Sequence, residues 1–199
     1  MTVLVFDLGN VLITVEKERT RDNLNAVRPG AGDRFVRLLR DRPEWEEYLE
    51  TGRWTPDEFL RKAVTGLGGI VTEEKIARAY ADIFRINDAA VSLLPELKKR
   101  YPLYLLSNTN AIHAERGFLE YPFLSNFDEL IMSHQVGAVK PDPDIYRYVE
   151  NRTGQPPEAH LLIDDLPENI RGALDRGWDG VRFTGYADLI KAFHRRGIL

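Results

Sequence analysis

The sequence predicts an α/β fold, a parallel sheet with helices above and below it, carrying a separate helical block near its amino end. Three observations lead there. Val3, Leu4, Val5 and Phe6 form a continuous β-prone apolar run, the pattern of a strand covered on both faces. After about residue 88, strand-like and helix-like stretches alternate, which calls for parallel pairing through right-handed crossovers. Between the two, residues 14–88 read as helical, with Leu24, Val27, Phe35, Leu38, Leu39, Trp45, Tyr48 and Leu49 spaced by three and four among charged residues, and with no convincing strand.

The first strand, within residues 2–8, runs into Asp7, Leu8, Gly9 and Asn10 before Val11, Leu12 and Ile13 resume the apolar pattern. In the helical block, Thr55, Pro56 and Glu58 make a capping box with proline at the first helical position. Gly66, Gly68 and Gly69 end that helix, and Thr72 is placed to cap the next. A helix carrying Val91, Leu94 and Leu97 leads past Pro102 into a strand at Leu103–Leu106, which stops at Ser107 and Asn108. A further strand, Glu129–Met132, precedes Lys140 and Pro141; Asp142 then caps, and Pro143 begins, a helix. The strand His160–Ile163 enters Asp164 and Asp165, Val181–Phe183 is a short last strand, and residues 186–195 close the chain as a helix.

Composition narrows the function. With 199 residues and 43% hydrophobic content the chain can bury one ordinary core, alone or with an inserted subdomain. A formal net charge of -4 leaves no basic footprint for nucleic acid. The lack of cysteine excludes disulfides, thiolate metal sites and thiol catalysis. No apolar run approaches the roughly 18 residues of a membrane span, so the chain reads as soluble and cytoplasmic, with no membrane partner.

Asp7, Ser107 and the pair Asp164/Asp165 each follow a strand, and open α/β sheets bind ligands beyond the carboxyl ends of their strands. An aspartate there can attack phosphorus in line and form an aspartyl-phosphate. Charge opposes it: at about 4 Å and an effective dielectric near 20, a carboxylate and a phosphate dianion repel by about 8 kcal/mol. Cations must offset that repulsion. Asp7, the Gly9 carbonyl and a carboxylate from Asp164 or Asp165 are the oxygen ligands Mg²⁺ takes, and Lys140 supplies a second positive charge. Ser107, with Asn108 beside it, offers a hydroxyl and the backbone N–H groups of a helix start, which favour a bound phosphate.

These stretches, in this order, resemble the four motifs of the haloacid dehalogenase superfamily: the strand with Asp7 through Val11, then Leu105 through Asn108, then Lys140-Pro141, then Ile163 through Asn169. The resemblance implies a Rossmann-like three-layer core, residues 1–13 and 89–199, with an inserted all-helical cap at 14–88. It implies a Mg²⁺-dependent phosphatase acting on a small phosphorylated metabolite through an aspartyl-phosphate on Asp7. The wording is closest to the branch that includes bacterial glucose-1-phosphate phosphatase. In the fourth motif, Asn169 follows Asp165 by four, which favours Asp165 as the direct metal ligand, with Asp164 behind it or in its place.

One position departs from the family pattern. Most of its phosphatases carry a second aspartate, a general acid and base, where this chain has Gly9. General acid help is worth about 10²–10⁴-fold, so turnover of ordinary alkyl phosphates is expected to be slow, and esters with acidic leaving groups, such as glucose 1-phosphate, to be preferred. Asn10 is a candidate for orienting water. His113 is either a surrogate acid or an exposed helix residue. Trp45, Tyr48, Glu50 and Trp54 either select substrate or form the core of the cap. Two other readings stand beside the phosphatase: C–halogen hydrolysis by the same aspartate, and a weakly catalytic phospholigand-binding protein.

Overall fold

The computed structural model describes residues 1–199. Its strands are β1 (Val3–Phe6), β2 (Ile13–Val15), β3 (Phe84–Ile86), β4 (Leu103–Ser107), β5 (Glu129–Met132), β6 (His160–Asp164) and β7 (Asp179–Arg182). Five of them form an all-parallel sheet in the order β5-β4-β1-β6-β7. β1 is central because both its faces are apolar: Leu4 and Phe6 pack into one layer, Val3 and Val5 into the other, and all four are buried. The helices Pro143–Thr153 and Pro167–Asp175 cover the Val3/Val5 face through Ile145, Tyr146, Val149 and Ala173, while Leu94, Leu97, Leu189 and Phe193 cover the other. The result is the three-layer α/β core with a helical insertion that the strand pattern predicts.

The chain leaves β1 towards β4 on one side and leaves β6 towards β7 on the other. The reversal opens a crevice between the carboxyl ends of β1 and β6. Asp7 follows β1 directly and Asp164 ends β6, so the acids meet because of the winding order and not through proximity in sequence.

The insertion holds five helices, α1 (Glu18–Val27), α2 (Ala31–Asp41), α3 (Glu44–Glu50), α4 (Pro56–Gly66) and α5 (Glu73–Ala81). They share a core of their own around Phe35, Trp45, Leu49, Phe59, Ile76 and Tyr80, to which the main body contributes Ile112. The capping box of α4 is present, with Thr55 Oγ1 accepting from Glu58 N and Glu58 Oε2 accepting from Thr55 N at 2.8 Å. Thr72 occupies the cap position of α5 without a side-chain hydrogen bond. α1 and α2 cross at Gly32, where a Cβ would lie 1.9 Å from the Arg21 carbonyl oxygen.

The structure departs from the sequence expectation at the neck. β2 and β3 pair antiparallel, Ile13 with Ile86 and Val15 with Phe84, where residues 14–88 read as free of strand. Each is three residues long and its partner lies some seventy residues away, so neither carries a local period that marks it. Two smaller differences have local causes. The predicted helix through Val91 and Leu97 is two pieces, Asp88–Val91 and Leu94–Lys98, the second starting with Pro95 in its first turn. β7 spans Asp179–Arg182, leaving Phe183 just beyond the strand.

Candidate active site

Lys140 is the hub. Its ammonium, 3% exposed, donates to Asp7 Oδ1, Asp164 Oδ2 and the Leu106 carbonyl, each at 2.7 Å. Three donors meet three acceptors, so the buried charge is fully satisfied. Burial alone would lower the lysine pKa, but the two carboxylates outweigh it and hold the pKa above its ordinary value. Asn108 sets the backbone that carries this lysine: its Oδ1 accepts from Lys140 N at 2.7 Å and its Nδ2 donates to Lys140 O at 2.8 Å. The Asn108 side chain is therefore a clamp on the lysine, and what it leaves for an anion is its own backbone N–H.

Asp7 is buried to 7% exposure and its pKa is pushed up to about 7. Desolvation is the main cause, Lys140 opposes it, and the neighbouring Asp164 adds to it. Asp164, fully buried, accepts from Lys140, from both approaches of Asn169 Nδ2 at 3.0 and 3.1 Å, and from Leu166 N at 2.9 Å. That last bond makes Asp164, rather than Asp165, the residue that holds the turn into the following helix. Asp165 is half-buried and accepts from Asn10 Nδ2 at 3.2 Å. Its pKa is raised, by desolvation first and then by the charge of Asp164. Asn10, at φ +55°, also accepts from Val15 N at 3.3 Å, so it ties the first turn both to β2 and to the acids.

Carboxylate oxygens of Asp7, Asp164 and Asp165 lie within 4.8 Å of one another. Three carboxylates against one ammonium leave two negative charges to be balanced, and every donor is oxygen, the ligand type of a hard divalent cation such as Mg²⁺. The group therefore fits the ion that the sequence anticipates.

A cavity of about 310 Å³ joins Asp7, Gly9, Asn10, Ser107, Asn108, Lys140, Asp165 and Asn169 to the insertion. Ser107 ends β4, and Thr109, two residues on, is fixed by Ser133, which accepts from Thr109 N and donates to Thr109 O at 2.9 Å each. From the cap the cavity receives Lys17, Glu46 and Glu50. Trp45 belongs to the cap's own core, Trp54 packs on it at 5.5 Å between ring centroids, and the half-buried Tyr48 packs on Trp54 at 5.1 Å. Lys17 and Glu46 went unread in the sequence because charged residues at helical spacing look like a solvated face. For Glu46 the signal was its i, i+4 relation to Glu50, which puts both on one side of α3; Lys17 had none.

His113 lines the same cavity but matches neither expectation. It is not an exposed helix residue: its ring lies 4.2 Å from that of Tyr80 and 5.3 Å from that of Phe84, and Nδ1 faces Asn110 Nδ2 at 3.1 Å. Burial lowers its pKa to about 3. A ring held neutral in this way is no imidazolium donor at ordinary pH.

A family model described as haloacid dehalogenase-like hydrolase matches residues 1–176. D-ribitol-5-phosphate phosphatase of Bacteroides thetaiotaomicron is 27% identical over 193 residues, spanning 93% of each chain. A crystal structure of a family enzyme from Bacteroides thetaiotaomicron, in complex with magnesium and inorganic phosphate, superposes with a TM-score of 0.76 at 27% identity, over 92% of this chain and 93% of that one. The structure of a hydrolase of the same kind from Porphyromonas gingivalis gives a TM-score of 0.82 at 28% identity, over 98% and 97%.

Proposed function

The chain belongs to the haloacid dehalogenase-like hydrolases, and from that membership we propose that it is a Mg²⁺-dependent phosphatase of a small, hydroxyl-bearing phosphorylated metabolite. The observation that carries this reading is the convergence of Asp7, Asp164, Asp165, Lys140 and Ser107 on one crevice at the strand ends. Magnesium bound beside phosphate in the Bacteroides structure supports the same assignment.

Asp7 is the nucleophile and becomes the aspartyl-phosphate. Lys140 holds it by one oxygen, which orients the carboxylate without covering both of its oxygens. Asp7, the Gly9 carbonyl and Asp165 would hold the ion, with Asp164 behind them, because Asp164 is already saturated by Lys140, Asn169 and Leu166 N. Bound there, Mg²⁺ supplies the positive charge that lets a phosphate approach three acids. Ser107 and the N–H of Asn108 receive the phosphate oxygens, and Asn10 keeps Asp165 turned towards the first loop. Residues 1–13 and 89–199 carry the nucleophile, the metal ligands and the phosphate site, while 14–88 enclose the leaving group.

For the substrate, a polyol or sugar phosphate is favoured. The named Bacteroides relative acts on D-ribitol 5-phosphate, and nothing in the comparisons singles out glucose 1-phosphate. C–halogen hydrolysis by the same aspartate has no use for three clustered carboxylates.

Phosphate release from D-ribitol 5-phosphate, glucose 1-phosphate and glucose 6-phosphate, with Mg²⁺ and with EDTA, tests the reading. Wild type is expected to turn over at least one ester only with the metal, and Asp7→Asn to be folded and inactive. Equal activity of the two proteins would refute the nucleophile assignment, and binding without release would favour a phospholigand-binding role.

A further inference from the structure

We propose that Glu50, the last residue of α3, is the general acid that delivers a proton to the leaving oxygen as the phosphate ester breaks; the inference rests on the phosphatase reading above. The problem it solves is set by Gly9, which has no side chain to offer a proton. D-Ribitol 5-phosphate, the substrate of the named relative, is a primary alkyl ester, whose departing alkoxide needs one.

Geometry selects the side from which the proton comes. In-line displacement places the leaving oxygen opposite the attacking one. Asp7 stands at the strand ends, and the cap contributes Lys17, Glu46 and Glu50 to the same 310 Å³ cavity. Groups nearer the nucleophile do not serve. Asn10 is an amide tied to Asp165, Lys140 is spent on three acceptors, and His113 is held neutral by burial.

Of the two cap acids, Glu46 accepts a hydrogen bond from Tyr80 Oη at 3.3 Å. Glu50, one turn further along and half-buried, has its pKa raised to about 6 by desolvation and by the charge of Glu46, with Lys17 opposing. An acid of that strength is suited to proton transfer near neutral pH. The titratable groups that share its cavity are Glu46 on its own helix, Lys17 ahead of α1, His113 from the main body, and Asp7, Lys140 and Asp165 at the strand ends; Tyr80 on α5 reaches it through Glu46.

The step balances. As an Asp7 oxygen bonds to phosphorus, the bond from phosphorus to the ester oxygen breaks and that oxygen takes the Glu50 proton, releasing the alcohol. The Glu50 carboxylate then takes a proton from the water that attacks the aspartyl-phosphate. Inorganic phosphate leaves, the Asp7 carboxylate returns, and Glu50 is again protonated.

Kinetics of Glu50→Gln across leaving groups of graded acidity test this: 4-nitrophenyl phosphate, phenyl phosphate and an unactivated alkyl ester, with D-ribitol 5-phosphate, glucose 6-phosphate and glycerol phosphate as choices. The expected result is read in kcat/KM, which covers the steps up to release of the alcohol and not the hydrolysis of the aspartyl-phosphate: a fall of about 10²-fold or more on the alkyl ester, a smaller one on phenyl phosphate, and little change on 4-nitrophenyl phosphate, whose phenolate leaves without a proton. Retained kcat/KM on 4-nitrophenyl phosphate also shows that the variant is folded; Glu50→Ala should show the same graded loss. Equal losses of kcat/KM on all three esters, no loss on any, or a wild type that hydrolyses only 4-nitrophenyl phosphate would each overturn the role of Glu50. Asp7→Asn, run beside it, separates the two questions. If it remains as active as wild type, the phosphatase mechanism itself falls; if it alone is inactive while Glu50→Gln is unaffected, only Glu50 is dismissed.

Discussion

Asp7 ionises against its surroundings, and that has a consequence for stability. Its pKa in the fold is about 7 against an ordinary 3.8, so above the lower value the folded state holds a proton that the unfolded chain has lost, and ionisation works against folding. The penalty is absent below about pH 4, grows as pH rises towards 7, and is complete above that. Without divalent cation, Asp7→Asn should therefore melt several degrees higher than wild type at pH 8, with the gap closing as pH falls; thermal melts in EDTA at a series of pH values measure it. Asn108→Ala removes two hydrogen bonds from the Lys140 backbone and should cost about 1–3 kcal/mol together with a fall in kcat, read by denaturant unfolding and by phosphate release. Asp7, Ser107 and Lys140 were legible in the sequence because each is a polar residue where an apolar strand stops or a proline follows. The clamp made by Asn108 and the burial of His113 were not, since both depend on which segment lies opposite, and that is a property of the folded chain.

Among the elements, local signals behaved differently from long-range ones. The capping box of α4 is decided within four residues, Thr55 to Glu58, and so could be read directly. Thr55→Ala should cost about 1 kcal/mol and lower the melting temperature by about 2–4 °C, without altering the metal requirement; calorimetry beside an activity assay checks both halves. Gly32 is the opposite case. Nothing near it in sequence announces that α1 and α2 touch there, yet a Cβ would meet the Arg21 carbonyl at 1.9 Å. Gly32→Ala must force the two helices apart, and a loss of at least about 1–3 kcal/mol is expected, seen as a lower denaturant midpoint. The β2–β3 pairing escaped the sequence for a related reason: three-residue strands bury too little to show a period of two.

For the whole molecule, no helix is long and apolar enough to cross a membrane, and the two bodies keep separate apolar cores with the cavity between them. The parallel sheet was readable because its strands announce themselves one by one; where the cap sits over them was not, because no residue period encodes it. A divalent cation that binds only the folded arrangement adds stability by mass action, about 2.7 kcal/mol at a hundred times its dissociation constant. Saturating Mg²⁺ should thus raise the melting temperature of wild type, and raise it much less for Asp165→Asn, a difference measurable by scanning fluorimetry. The neck bears on how such a molecule can be altered. Because Ile13 lies directly across from Ile86, the insertion departs and comes back at points about 5 Å apart, a gap that a tight hairpin turn spans. Everything between those points is a cassette: a differently shaped one can be spliced on at the same pair of residues, changing what is recognised, and the proton donor with it, while Asp7, Lys140 and the acids beneath keep their coordinates.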